Sequence, residues 1–187
     1  MDYIKISSVS PKLKVADVHY NKEEILKLIK QLAHDKVKVA LFPELSLTSY
    51  TSSDMFFSED LLNATESAMN EIVESTRNLD MVVILGLPMR HEGRLFNSAA
   101  VVFEGKILGM VPKQNLPNYN EFYESRWFTA YNRTHGHLTD FGDHKEIPFG
   151  NLVFSAGKYS FGVEICEDLF AAISPSSSLS LQGAEII

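Results

Sequence analysis

Cysteine is nearly missing from these 187 residues: there is one, Cys166, so no internal disulfide can form. A lone thiol fits a reducing compartment, and the expected location is the cytoplasm. Long apolar runs are missing too, which argues against a helix that spans a membrane. The opening segment, MDYIKISSVSPKLKV, lacks the charged-then-apolar order of a secretion signal. Basic residues are in deficit, with 17 Lys and Arg against 24 Asp and Glu and a net charge of −7. That balance excludes a general nucleic-acid binder, which needs a basic face to displace counterions. There is no internal repeat, and the Ser-rich stretch 174–180 is too short to be a linker. What is present is ordinary globular material, 45% hydrophobic and 22% charged. The length suits one domain with a real core.

Strand and helix patterns alternate along the chain. Residues 3–9 read as a strand ended by Pro11. Asn21 reads as an N-cap with Glu24 three positions on, and Ile25, Leu28, Ile29 and Leu32 form the apolar stripe of a helix. VKVALFP (37–43) reads as a strand buried on both faces. A second helix is expected over 58–78, with a stripe of Leu61, Leu62, Thr65, Ala68, Met69, Ile72, Val73 and Thr76. Residues 81–88 read as another buried strand. Residues 94–103 and 106–112 read as a hairpin about Glu104–Gly105. Residues 115–128 suggest a loop with a short helix, 129–150 a polar loop, 158–166 a strand, 176–182 a helix, and the final AEII another strand. A chain closing on apolar strand-like residues suggests an incomplete domain.

Three reactive side chains fall at strand ends: Glu44 after VKVALFP, Lys113 after KILGMVP and Cys166 at the end of YSFGVEIC. Carboxyl ends of strands are where α/β layers gather their sites. If the strands run the same way in one sheet, the three converge. A thiol needs a base or a nearby cation to become a nucleophile. Glu44 suits the base, while Lys113 and the Glu167 N–H suit an oxyanion. Acyl transfer from an amide or nitrile carbon through a thioester follows. Each residue also has a plain alternative: a lone cysteine on an apolar strand is commonly core, and Glu44 and Lys113 are ordinary loop and surface charges. His135, His137, Asp140, Asp143 and His144 form a second cluster. Without a second tight His/Cys pair it reads as polar loop, and no metal is expected. A non-enzymatic reading also stands, in which exposed apolar strands are covered by a partner or a second copy.

FPELSLTSY (42–50), PKQNLPNYNEFYESRWF (112–128) and GVEICEDLF (162–170) resemble the three signature segments of the nitrilase (carbon–nitrogen hydrolase) superfamily. Within it they are most similar to the amino-terminal glutaminase domain of glutamine-dependent NAD⁺ synthetases. The resemblance runs over residues 3–187. It implies an α+β four-layer αββα sandwich, with residues 1–187 a glutaminase domain cut short at its carboxyl end. It implies Glu44 as general base and acid, Lys113 as electrostatic stabiliser and Cys166 as nucleophile. A supporting carboxylate follows the lysine, either Glu121, at the commoner spacing, or Glu124. Tyr119 belongs to the implied glutamine pocket, with Tyr50 and Phe170 as candidate walls. L-Glutamine is the implied substrate, with no cofactor in this domain. ATP, Mg²⁺ and deamido-NAD⁺ belong to a carboxyl-terminal synthetase domain absent from this chain, and a homo-oligomer is implied. The alternative is a stand-alone amidase or carbamoylase of the same superfamily. TSSDMF (51–56) and Phe170 depart from the commoner family residues, and neither departure touches Glu44, Lys113 or Cys166.

Overall fold

The computed structural model describes residues 3–132 and 136–187. Nine strands and three α-helices build it: β1 (Ile6–Ser8), α1 (Val18–His34), β2 (Val39–Leu41), α2 (Glu59–Ser75), β3 (Val82–His91), β4 (Arg94–Phe103), β5 (Lys106–Pro112), β6 (His137–Phe141), β7 (His144–Phe149), β8 (Val153–Ala156), β9 (Tyr159–Gly162) and α3 (Pro175–Leu181). Seven strands form one sheet in the order β1-β2-β3-β4-β5-β7-β6, and β8 and β9 form a separate ribbon. β1, β2 and β3 are parallel, whereas β3, β4 and β5 are a meander of antiparallel hairpins. β5 therefore runs in the same direction as β2.

Helices α1 and α2 cover one face of the large sheet. Ile25 and Ile29 of α1 and Met69 and Ile72 of α2 are fully buried there, against Val83, Leu85 and Ala100. Lys22 of α1 reaches Glu71 of α2 at 2.7 Å, which ties the two helices together beside this core. On the opposite face Val39, Ile84, Ala99 and Val111 pack against Phe154 and Phe161 of the ribbon. Phe161 faces the large sheet and its neighbour Gly162 faces the other way. A Cβ on Gly162 would come within 2.8 Å of Leu179, so the missing side chain is what admits α3 as an outer layer. The order is helices, sheet, ribbon, helix, the expected αββα sandwich.

Several local expectations change. Asp17, not Asn21, caps α1, accepting the Tyr20 N–H at 3.0 Å. Asn21 lies inside the helix and is buried, donating to the carbonyls of Lys14 and Leu47 and so pinning the segments on either side. Leu41 is exposed, because the ribbon does not extend over that end of β2. Part of the expected loop 129–150 is the hairpin β6–β7, in which the apolar residues Phe141, Ile147 and Phe149 join the main core. The expected strand 158–166 ends at Gly162, and AEII contributes a single bridge, Phe161 to Ile186. His135 lies outside the described residues, and among these no group of three His, Cys, Asp or Glu converges as a metal site. No helix among the described residues is long and apolar enough to cross a membrane.

Candidate active site

Glu44 sits in the tight turn that follows β2. That turn lies directly on β3: Gly86 N–H donates to Pro43 O at 3.2 Å, and Leu47 N–H donates back to Gly86 O at 3.3 Å. The approach is possible only because residue 86 is glycine. A Cβ there would fall 2.2 Å from Leu45 N and 2.7 Å from Glu44 Cα. Lys113 follows β5, with its N–H bonded to Asn97 O of β4 at 2.8 Å. These two residues come from parallel strands of one sheet. Cys166 comes from the other sheet's side, where extended residues 163–165 leave β9 and enter a 3₁₀ turn, Cys166–Phe170. The expectation of three converging strand ends in a single sheet is thus corrected to two from the sheet and one from the ribbon.

The Lys113 ammonium, 0% exposed, is the hub. It donates to Glu44 Oε1 at 2.6 Å and to Glu124 Oε1 at 2.7 Å. Asn97 closes the ring, giving its Nδ2–H to Glu44 Oε1 at 2.6 Å and to Glu124 Oε2 at 3.3 Å. Tyr50 donates its hydroxyl to Glu124 Oε1 at 2.7 Å. Both donors to Glu44 fall on Oε1, so Oε2 carries no partner among the described residues. Glu44 and Cys166 line the same cavity, of about 350 Å³, between the sheet and the ribbon. The thiol is exposed, not sealed among aliphatic side chains.

The charges in this cluster are strongly coupled. Burial alone would lower the Lys113 pKa, but the carboxylates of Glu44 and Glu124 outweigh it and hold the ammonium above the ordinary lysine value. Burial pushes the Glu44 carboxyl up, against the pull of Lys113. Burial and then the Glu44 charge push the Cys166 thiol up, while Lys113 and the Glu167 N–H oppose them. The Tyr50 hydroxyl is pushed far up by burial and by Glu124, so it remains a donor. The direction of the Cys166 shift describes a neutral thiol at rest, not a thiolate.

Glu124, 1% exposed, stands on a one-turn 3₁₀ segment, Glu124–Arg126, and Glu121 is exposed. The carboxylate that meets Lys113 is therefore Glu124, although Glu121 has the commoner spacing. The neighbouring turn is braced from outside: Asp54 accepts from Arg126 Nε at 2.7 Å, Arg126 Nη2 at 2.8 Å and Trp127 Nε1 at 2.9 Å. Of the aromatic candidates, Tyr50 touches the cluster directly. Tyr119 is half-exposed and donates its hydroxyl to Glu167 at 2.8 Å. Phe170 is 73% exposed, and neither it nor Tyr119 borders the cavity between Glu44 and Cys166. Sequence reasoning passed over Asn97. Its one available signal was a polar residue in the apolar run RLFNSAAVVF, on the strand next to the one that delivers Lys113.

Comparison with known proteins places this arrangement. Residues 5–187 match the carbon-nitrogen hydrolase family. The glutamine-dependent NAD(+) synthetase of Mycobacterium leprae is 34% identical over 189 residues, covering 99% of this chain and 28% of that protein. The crystal structure of a glutamine-dependent NAD(+) synthetase from Cytophaga hutchinsonii superposes with a TM-score of 0.81 at 33% identity, over 88% of this chain and 28% of that one. An amidase from Nesterenkonia sp. shares the fold, with a TM-score of 0.75 at 15% identity, over 98% of this chain and 63% of its own. The chain thus spans under a third of the length of the synthetases it matches. With the match extending over nearly every residue, the chain belongs to the carbon-nitrogen hydrolase family.

Proposed function

We propose that this chain is the glutaminase part of a glutamine-dependent NAD⁺ synthetase, hydrolysing the side-chain amide of L-glutamine and supplying ammonia to a ligase part of a longer enzyme. The observation that carries the reading is the hydrogen-bonded ring of Glu44, Lys113, Glu124 and Asn97, whose member Glu44 lines the same cavity as an accessible Cys166. The likeness to synthetases whose names specify glutamine dependence supports the substrate.

The chemistry follows from the charges. Glutamine enters with its amide carbonyl beside the sulfur. Glu44 Oε2, free of other donors, takes the thiol proton as the S–C bond forms. Protonating Glu44 removes one of the two negative charges held by Lys113 and creates a new one on the former carbonyl oxygen. The ammonium, with a third N–H unclaimed by the described residues, turns its field onto that oxygen together with the Glu167 N–H. Glu124 keeps the lysine charged and in place throughout. As the tetrahedral species collapses, the C–N bond breaks and Glu44 gives its proton to the leaving nitrogen, releasing ammonia. The γ-glutamyl thioester is then attacked by water, which loses a proton to Glu44, and glutamate leaves as the thiol is restored. Tyr119, Tyr50 and Phe170 are proposed walls for the rest of the glutamine molecule, outside the cavity that Glu44 and Cys166 line. Glu121 has no role in this scheme.

ATP, Mg²⁺ and deamido-NAD⁺ belong in this proposal to the ligase part of the longer enzyme. No step here runs through them. Assembly of that enzyme as a cytoplasmic homo-oligomer completes the proposal.

The test is covalent capture. The protein is treated with an electrophilic glutamine analogue, digested and mapped by mass spectrometry, and glutamate release is measured against acetamide hydrolysis. An adduct on Cys166 with preference for glutamine is expected. An adduct elsewhere removes the nucleophile assignment. Equal turnover of acetamide replaces the glutaminase with a general amidase.

A further inference from the structure

Between the lysine segment and the cysteine turn lies a buried carboxylate that the proposed reaction does not use. Asp168 is two residues past Cys166, on the same 3₁₀ turn, and is 2% exposed. No Lys, Arg or His among the described residues pairs with it. Instead it collects N–H groups from two directions. Ile165, immediately before the nucleophile, donates its backbone N–H to Oδ2 at 3.1 Å. Gln114 and Asn115, immediately after Lys113, donate theirs to Oδ1 at 3.1 and 2.7 Å, and Asn115 adds its side-chain Nδ2–H at 3.0 Å. Asp168 N–H also donates to Ile165 O at 3.1 Å, closing the turn around Cys166 from both sides. Cys166 itself has φ +47°, a left-handed backbone that a non-glycine residue holds only when its surroundings impose it.

We infer that Asp168 is a positioning residue: by bonding the backbone beside the nucleophile and the backbone beside the lysine, it sets the Cys166 thiol against the Glu44–Lys113 pair across the seam between sheet and ribbon. The inference rests on the acyl-transfer reading of those three residues and adds a fourth that touches no substrate. An ionised carboxylate suits the place because it only accepts, and every partner is a donor. Burial pushes the Asp168 pKa above the ordinary carboxylate value, and the N–H groups of Asn115, Ile165 and Gln114 oppose that rise. An asparagine would have to turn its own NH₂ toward Ile165 N–H or toward Gln114 and Asn115, breaking one side of the joint. A second bond across the seam, Tyr119 to Glu167, is solvent-exposed and cannot substitute for it.

The test reads electrostatic coupling rather than turnover. The groups facing the thiol are Glu44, Lys113, Glu124, Tyr50 and Tyr119. The pH midpoint of Cys166 alkylation by iodoacetamide is measured in the parent, Glu44→Gln, Asp168→Asn and the double variant. Removing the Glu44 charge is expected to lower the midpoint by about one pH unit or more in the parent background. In the Asp168→Asn background that shift is expected to fall to less than half. Destabilisation elsewhere, as in Ile29→Val, leaves the shift intact and so separates positioning from general weakening. An equal shift with and without Asp168 overturns the inference. If Asp168→Asn does not fold, judged by Trp127 fluorescence, Asn115→Ala takes its place, and a full shift there overturns it equally. No substrate enters the measurement. A lost coupling effect therefore leaves the glutamine proposal standing, and a missing glutamine adduct with coupling retained strikes that proposal alone.

Discussion

Replacing Lys113 with methionine removes the one cation from a buried site while nearly keeping its volume. Glu44 and Glu124 lie 2.6 and 2.7 Å from the ammonium nitrogen, so the variant leaves two carboxylates facing each other across an emptied position. Breaking a buried ion pair by deleting one partner costs about 3–5 kcal/mol. Two like charges this close do not both ionise, so one carboxyl keeps a proton in the folded state to a pH well above the ordinary carboxylate value of about 4.3. A pKa raised in the folded state gives stability that is complete below the unfolded pKa and is lost as pH rises through the folded one. An added rise of about two pH units makes the variant lose roughly 2–3 kcal/mol between pH 5 and pH 8 beyond any change in the parent. Urea unfolding followed through Trp127, the sole tryptophan, measures this at a series of pH values. Adding Glu124→Gln to the variant removes the second charge and is expected to flatten the extra slope. A variant within 1 kcal/mol of the parent at pH 8, or one whose curve runs parallel to the parent's, would refute the buried three-charge cluster.

Three further outcomes are expected. Gly86→Ala puts a Cβ 2.2 Å from Leu45 N, where only backbone stands to give way. A loss of about 1–3 kcal/mol in urea is expected, with slowed Cys166 acylation, and a neutral result would contradict the close approach. Asn97→Ala deletes a hydrogen bond that lowers the Glu44 pKa. The acid limb of the kcat/KM profile for glutamine therefore moves to higher pH, and an unmoved limb removes Asn97 from the site. Glu44→Gln makes the thiol easier to ionise, since the Glu44 charge is among the causes of its raised pKa, while abolishing glutamate release. Faster alkylation by iodoacetamide near neutral pH, alongside lost turnover, is the signature, and slower alkylation would mean that Glu44 does not face Cys166.

Helices and the meander were legible because each has a periodic or turn signal of its own. The α2 stripe from Leu61 to Val73 is buried as its spacing requires. The Glu104–Gly105 turn has positive φ at both residues, the geometry of a two-residue hairpin. The β6–β7 hairpin escaped notice because Asp140, Lys145 and Glu146 are exposed beside Pro148 and two histidines, and short alternation amid such polarity resembles loop. The α1 cap was misplaced for a similar reason: Asn21 offers a capping side chain, but tertiary contacts with Lys14 and Leu47 claim it. Near the site, spacing from Lys113 could not say which of two glutamates in one loop turns inward. That is settled by the Asp54 brace on Arg126 and Trp127, a contact between segments 72 residues apart. Asn97 and Asp168 were hidden because neither reacts, and what marks them is the set of donors and acceptors that folding places around them.

The division of the site between two sheets has a consequence for how it works. The proposed base and its ammonium partner come from the large sheet: Glu44 in the turn on Gly86, Lys113 bonded to Asn97, both held by backbone bonds. The proposed nucleophile follows a ribbon that shares no ladder with that sheet among the described residues and meets it through apolar side chains, the Asp168 bonds and the exposed Tyr119–Glu167 bond. Apolar contact is non-directional and fixes how far apart the layers stand, not how they slide. Hydrogen bonds with a narrow range of angle and distance are what fix the sliding. A thiol whose ionisation is opposed by burial and by Glu44 depends on a proton acceptor within reach, so small slips between sheet and ribbon are expected to slow the proposed chemistry steeply. The same burial and Glu44 charge that raise the thiol pKa also lower the fraction of thiolate open to other electrophiles when no substrate is held there.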